Sequence, residues 1–154
     1  MHEQFLQQAI TLANHNVTEN GGPFAALIVK NNTVIATGVN RVTTQLDPTA
    51  HAEIQAIRAA CHILGDFQLT DCVLYSSCEP CPMCLGAIYW ARLNAVYFAA
   101  NRFDAAHAGF DDSFIYDDIA QPIMQRQIIM QHILIENETQ PFKIWQEKTN
   151  KIRY

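Results

Sequence analysis

Cys81 and Cys84 stand three residues apart in Pro80-Cys81-Pro82-Met83-Cys84, and Pro82 suits the first turn of a helix. Three-residue spacing puts both sulfurs on one helix face. A helix N-terminus favours anions, which helps keep both groups as thiolates, and soft thiolates suit zinc. Alone, the pair also describes a redox dithiol or two core cysteines. His51, in Thr49-Ala50-His51-Ala52-Glu53, lies near a second helix start. By itself it fits a satisfied core histidine at least as well as a ligand. The chain offers no second Cys-x-x-Cys and no second histidine at zinc-finger spacing. One histidine with two cysteines is a three-ligand set, which leaves the fourth place for water, as in catalytic rather than structural zinc. Glu53 completes the pattern, because a carboxylate beside the metal can take a proton from that water and pass it on. The bland alternative is an exposed helix residue. Residues two apart on a regular helix point about 200° apart, so His51 and Glu53 share a site only if His51 occupies an irregular first turn or reaches round.

The elements that must hold these residues follow from periodicity and punctuation. Phe5, Leu6, Ala9, Ile10, Leu12 and Ala13 recur at helical spacing, and Gly21-Gly22-Pro23 stops the chain. Phe24–Val29 and Thr33–Gly38 flank Asn31-Asn32, a pair that tolerates the positive φ of a two-residue hairpin turn. Asp47-Pro48-Thr49 can open a helix that carries Ile54, Ile57, Cys61 and Leu64 and ends at Gly65. Cys72–Ser77 reads as a buried strand, Pro82 to Ala91 as a helix, and Ala95–Ala100 as another buried strand. His132–Ile135 is a candidate fifth strand. Pro141 to Lys151 is a terminal helix with Phe142 and Trp145 on one side. Strands alternating with helices after a hairpin predict an α/β fold, with a mixed sheet covered by helices on both faces.

Composition narrows the classes. A chain of 154 residues is one domain's worth and is too short for a barrel of roughly 250 residues. Hydrophobic residues make up 49%, which excludes a disordered chain, while charged residues make up only 16%. So few charges hint that a partner covers part of the surface. The net charge of −5 and the lack of any Lys/Arg run make a nucleic-acid polymer a poor fit. No apolar stretch approaches the roughly 18 residues of a membrane span. The N-terminus lacks a basic start and apolar run, so the cytoplasm is expected. Five cysteines, an odd count, read as free thiols or metal ligands rather than a disulfide framework. Cys61, Cys72 and Cys78 sit in apolar settings and are expected to be core thiols.

His-x-Glu followed later by Pro-Cys-x-x-Cys is the signature of zinc nucleobase deaminases. Three stretches carry a resemblance to the cytidine deaminase-like superfamily: Asp47–Glu53, Ser77–Arg92 and Asp104–Tyr116. The last of these, with the aromatic Tyr154, resembles the guanine-deaminating members in particular. The resemblance implies a three-layer α/β sandwich with a mixed five-stranded sheet, formed by residues 1–154 as one domain. It implies one zinc ion per chain on His51, Cys81 and Cys84, with Glu53 as the catalytic proton shuttle. It implies substrate contacts from Asn40, Asp112 and Tyr154, with Phe24 and Trp90 as aromatic walls and Ala52 alongside. Asp111 stands beside Asp112, and residue type alone does not separate the two. The implied reaction is hydrolysis of guanine to xanthine and ammonia. The implied assembly is a homodimer that exchanges a segment of about 137–154. Two rivals remain at this point. One is a deaminase of another nucleobase or of tRNA adenosine. The other is a non-catalytic zinc-binding module with a fourth protein ligand such as Cys78.

Overall fold

A computed structural model describes all residues, Met1–Tyr154. The chain divides into two compact units, Met1–Asp112 and Ser113–Tyr154.

The first unit begins with α1 (His2–Thr18) and the hairpin β1 (Ala25–Lys30) and β2 (Thr33–Val39). Asn31 and Asn32 both take positive φ, 50° and 60°, as the two-residue turn requires. Next come a short α2 (Val42–Gln45), α3 (Ala52–Leu64), β3 (Cys72–Cys78), α4 (Pro82–Trp90), β4 (Ala95–Ala100) and α5 (Arg102–His107). The strand order is β2-β1-β3-β4. β1 is antiparallel to both neighbours, and β3 and β4 run parallel.

The central strand β1 shows why both faces need helices. Successive side chains alternate across a sheet. Ala26 and Ile28 enter a cluster with Ala52, Ala56, Ala60 and Leu74, on the face that α3 and α4 cover. Leu27 and Val29 enter a second cluster with Ala9 and Tyr75, flanked by Phe5, Leu6 and Leu12 of α1. The expected three-layer arrangement is therefore present.

Gly38 sets the depth of α3. A Cβ at this position would lie 2.1 Å from the Ala52 carbonyl oxygen and 2.4 Å from the Ala56 amide nitrogen. Backbone meets backbone there, so only glycine lets the start of α3 lie on β2.

Two sequence expectations are corrected. The sheet has four strands, not five. His132–Ile135 forms no strand, and Ile133, Leu134 and Ile135 are exposed. A strand is defined by a hydrogen-bonding neighbour, and an apolar run does not reveal whether one is available. Ala95–Ala100 is a strand, yet Tyr97 and Phe98 are exposed. It is an outer strand, and apolar composition does not distinguish an edge from a centre.

The second unit holds α6 (Ser113–Ile119), a 3-10 turn at Ile123–Gln125, and α7 (Gln140–Glu147). None of its residues is buried. Within it, Trp145 packs against Tyr154 with ring centroids 6.4 Å apart.

Candidate active site

The stretch before α3 decides where His51 points. Asp47 Oδ1 accepts from the Thr49 backbone N–H at 2.8 Å and from its hydroxyl at 2.7 Å. This local turn delays the helix, which begins at Ala52 rather than near Pro48. His51 is consequently the N-cap, with extended backbone (φ −71°, ψ 157°). Glu53 is the second helical residue. The conflict of direction on a regular helix disappears, because His51 lies outside the helix. Cys81 repeats this geometry as the N-cap of α4 (φ −68°, ψ 169°), with Pro82 opening the helix and Cys84 within its first turn.

These two helix starts meet. His51 Nδ1 lies 3.5 Å from Cys81 Sγ and 3.6 Å from Cys84 Sγ. The three ligand atoms fall within 4.8 Å of one another. A tetrahedral ion with bonds of about 2.3 Å to sulfur and about 2.1 Å to nitrogen holds such ligands about 3.6 Å apart. The residues therefore fit a metal of that type. The site offers three protein ligands and not four. Cys78 gives its S–H to the Asn101 carbonyl at 3.7 Å instead, and burial together with the Glu53 charge pushes its thiol up to about 11.

Glu53 is 6% exposed, and Cys84 Sγ donates to its Oε2 at 3.4 Å. Burial raises its pKa above the usual carboxylate value, and the Cys81 charge adds to this. Cys81 is brought down to about 4, mainly by the hydrogen bond from Cys84 and further by His51. The neighbouring Cys81 sulfur, with burial, drives the Cys84 thiol upward. His51 is raised by its bond to Cys81.

A cavity of about 540 Å³ opens onto this cluster. His51, Glu53 and Cys81 line it, as do Asn40, Phe24 and Asp112. Phe24 meets Phe110 edge-on with centroids 5.0 Å apart. Asn40 is 9% exposed, and its Oδ1 accepts from the Val42 N–H at 3.3 Å. Burial raises the Asp112 pKa, Cys81 adds to this, and Arg102 opposes it. Asp111 lines the cavity too. Of the first-unit residues singled out from sequence, Ala52 and Trp90 are not among those lining it. Ala52 is fully buried in the core. Trp90 ends α4 and is 67% exposed. Tyr154 belongs to the second unit.

Sequence reasoning missed three residues here. Arg102 donates to Glu79 Oε1 from both Nε (3.1 Å) and Nη2 (2.8 Å), a charge pair on the cavity wall. Glu79 adjoins the Pro-Cys motif, which was a usable signal. Asn16 is buried at the end of α1, and nothing in the local pattern marks it.

Three protein ligands leave a metal one place for water, and a buried carboxylate at their side can carry that water's proton. On a mixed sheet between helices, with ligands drawn from two helix starts, this is the architecture of a hydrolytic zinc deaminase. Residues 1–100 match the model of the cytidine and deoxycytidylate deaminase zinc-binding region, and the chain belongs to that family. Over 154 residues it is 56% identical to guanine deaminase of Bacillus subtilis (strain 168), with 99% of each chain covered. An X-ray structure of guanine deaminase from Bacillus subtilis matches with a TM-score of 0.98 at 55% identity, covering 100% of this chain and 99% of that one. The tRNA-specific adenosine deaminase of Aquifex aeolicus (strain VF5) is 32% identical over 138 residues, 90% of this chain and 89% of that one.

Proposed function

We propose that this chain hydrolyses guanine to xanthine and ammonia, with zinc held by His51, Cys81 and Cys84. The observation that carries the substrate reading is that Asn40 and Asp112 line the same cavity as Glu53 and the ligand cluster. Guanine is apolar on its faces and polar on its rim, so a flat aromatic wall and a few fixed polar groups suffice to recognise it. Phe24 takes a face. Asp112 accepts from N–H donors of the base, and the Asn40 amide both donates and accepts at the rim.

When bound, zinc supplies a Lewis acid that brings the pKa of water towards neutrality. Glu53 takes a proton from the attacking water as its oxygen bonds to C2. It gives that proton to a ring nitrogen, then helps the 2-amino group depart as ammonia by proton transfer. Its burial suits this task, because a carboxylate with a raised pKa both accepts and returns a proton near neutral pH. Water plus guanine thus balances xanthine plus ammonia.

The same reading includes a homodimer that exchanges about residues 137–154. It is supported by a second unit with no buried residue and by the exposed aromatic rings of Tyr97, Phe98 and Trp90. In that assembly Tyr154 closes the partner's pocket. No helix is long and apolar enough to cross a membrane. No disulfide joins the five cysteines, which suits a reducing compartment, and the reading includes the cytoplasm. A polynucleotide substrate is disfavoured by the net charge of −5.

Ammonia release from zinc-loaded protein tests this against guanine, adenine, cytosine, cytidine and guanosine. Release from guanine alone is expected. Release from another base alone keeps the hydrolytic site and overturns the substrate.

A further inference from the structure

Asn16 sits in the last turn of α1, 2% exposed. Its Nδ2 donates to the Gly22 carbonyl at 2.8 Å and to the Asn40 carbonyl at 2.9 Å. Both amide hydrogens are therefore spent on main-chain oxygens of residues that line the cavity. Its Oδ1 is buried without a partner. The chain closes tightly around this amide. The Gly21 N–H donates to the Asn16 carbonyl at 2.8 Å. A Cβ on Gly21 would come within 2.2 Å of Asn16 Nδ2, and one on Gly22 within 2.8 Å of Asn40 Oδ1. Asn16, the Gly21-Gly22 pair and Asn40 thus form one close-packed series, running from α1 to the cavity. An apolar residue could fill the space beneath the two glycines, but it could not hold two carbonyls.

We infer that Asn16 is a positioning residue for substrate: it fixes the main chain of Asn40, so that the Asn40 amide faces the base at one depth and angle. This rests on the reading of Asn40 as a contact to guanine. Asn16 makes no hydrogen bond to the ligand cluster or to Glu53, so its loss acts on binding rather than on proton transfer.

The test compares Asn16→Ala, Asn40→Ala and the double variant in zinc-loaded protein, well below their unfolding midpoints. Asn16→Ala is expected to raise KM for guanine by about tenfold or more, since a small misplacement of a positioning group has large kinetic effects. Its kcat should stay within about threefold and its zinc content should be unchanged. The double variant should show a KM no higher than Asn40→Ala alone, because residues that act as one unit are not additive. Gly21→Ala, which displaces the Asn16 amide from the other side, should reproduce the KM effect and serves if Asn16→Ala does not fold. A lowered unfolding midpoint with wild-type KM in both variants would mean a purely structural role and overturn the inference. A KM in the double variant equal to the product of the two single effects would overturn it too. If Asn40→Ala keeps the wild-type KM, the reading of Asn40 fails and the inference falls with it. If Asn40→Ala raises KM and neither Asn16→Ala nor Gly21→Ala does, the inference alone fails.

Discussion

The Cys84 thiol donates to Glu53 Oε2 across 3.4 Å, so the buried carboxylate touches one of the three metal-ligand candidates directly. That contact joins residues 31 positions apart through the first turns of α3 and α4. Helix N-termini carry unpaired N–H groups and partial positive charge, and here two of them concentrate that charge around two sulfurs and a carboxylate.

Glu53→Gln keeps the volume of the side chain and removes its basicity. Zinc content should remain near one per chain, while kcat falls by about 10²–10⁴-fold, the usual range for a lost general acid–base group. Atomic absorption and ammonia release on the same sample check both halves. Near-wild-type turnover would remove Glu53 from the proton path.

Cys81→Ser and Cys78→Ser should separate ligand from bystander. The first should lose most of its zinc, because the hydroxyl is a poor substitute for a thiolate. The second should keep it, since the Cys78 thiol is pushed up to about 11 and bonds to a carbonyl. Metal analysis after dialysis reads the difference, and zinc loss in Cys78→Ser would point to a fourth protein ligand.

Asp112 should impose an acid limb on guanine binding. Its carboxyl is raised above the ordinary aspartate value, chiefly by burial. Only the ionised form accepts from the base N–H groups, so 1/KM should fall as pH falls through that raised value. Asp112→Asn should abolish the limb and weaken guanine use far more than zinc content. A kcat/KM–pH profile for both proteins decides it, and an unchanged specificity constant in the variant would take Asp112 out of the site.

Gly38→Ala should destabilise the fold by about 1–3 kcal/mol or more, the cost of overpacking a site that cannot relax. The added Cβ meets the Ala52 carbonyl at 2.1 Å, so relief requires α3 to lift and carry His51 and Glu53 with it. Urea denaturation should show a lower midpoint, and zinc affinity should drop in parallel. A wild-type midpoint would mean that the helix moves freely against β2.

Much of the first unit was legible locally. The apolar spacing in α1, the Asn31-Asn32 turn, Pro82 opening α4 and Gly65 closing α3 each act through neighbours along the chain. Where the reading slipped, the deciding interactions were remote. His132–Ile135 has strand-like composition but no ladder partner, and Ala95–Ala100 is apolar yet lies at an edge. The start of α3 was misplaced because Asp47 closes a turn on Thr49 before the helix can begin. The Arg102–Glu79 pair and the buried Asn16 lie outside any periodic pattern and were invisible for that reason.

The types and spacings of His51, Glu53, Cys81 and Cys84 point, from the sequence alone, to a candidate three-ligand metal site with a carboxylate beside it. Ligand chemistry depends on which atoms are offered, and side-chain identity fixes that. Whether those atoms meet depends on where two helices begin and how closely they lie on the sheet. That was decided by contacts distant in the chain, Gly38 against Ala52 and Ala56 and Cys84 against Glu53. The periodicity of a single segment reports which face of an element is apolar, but it carries no information about the element that will pack against it.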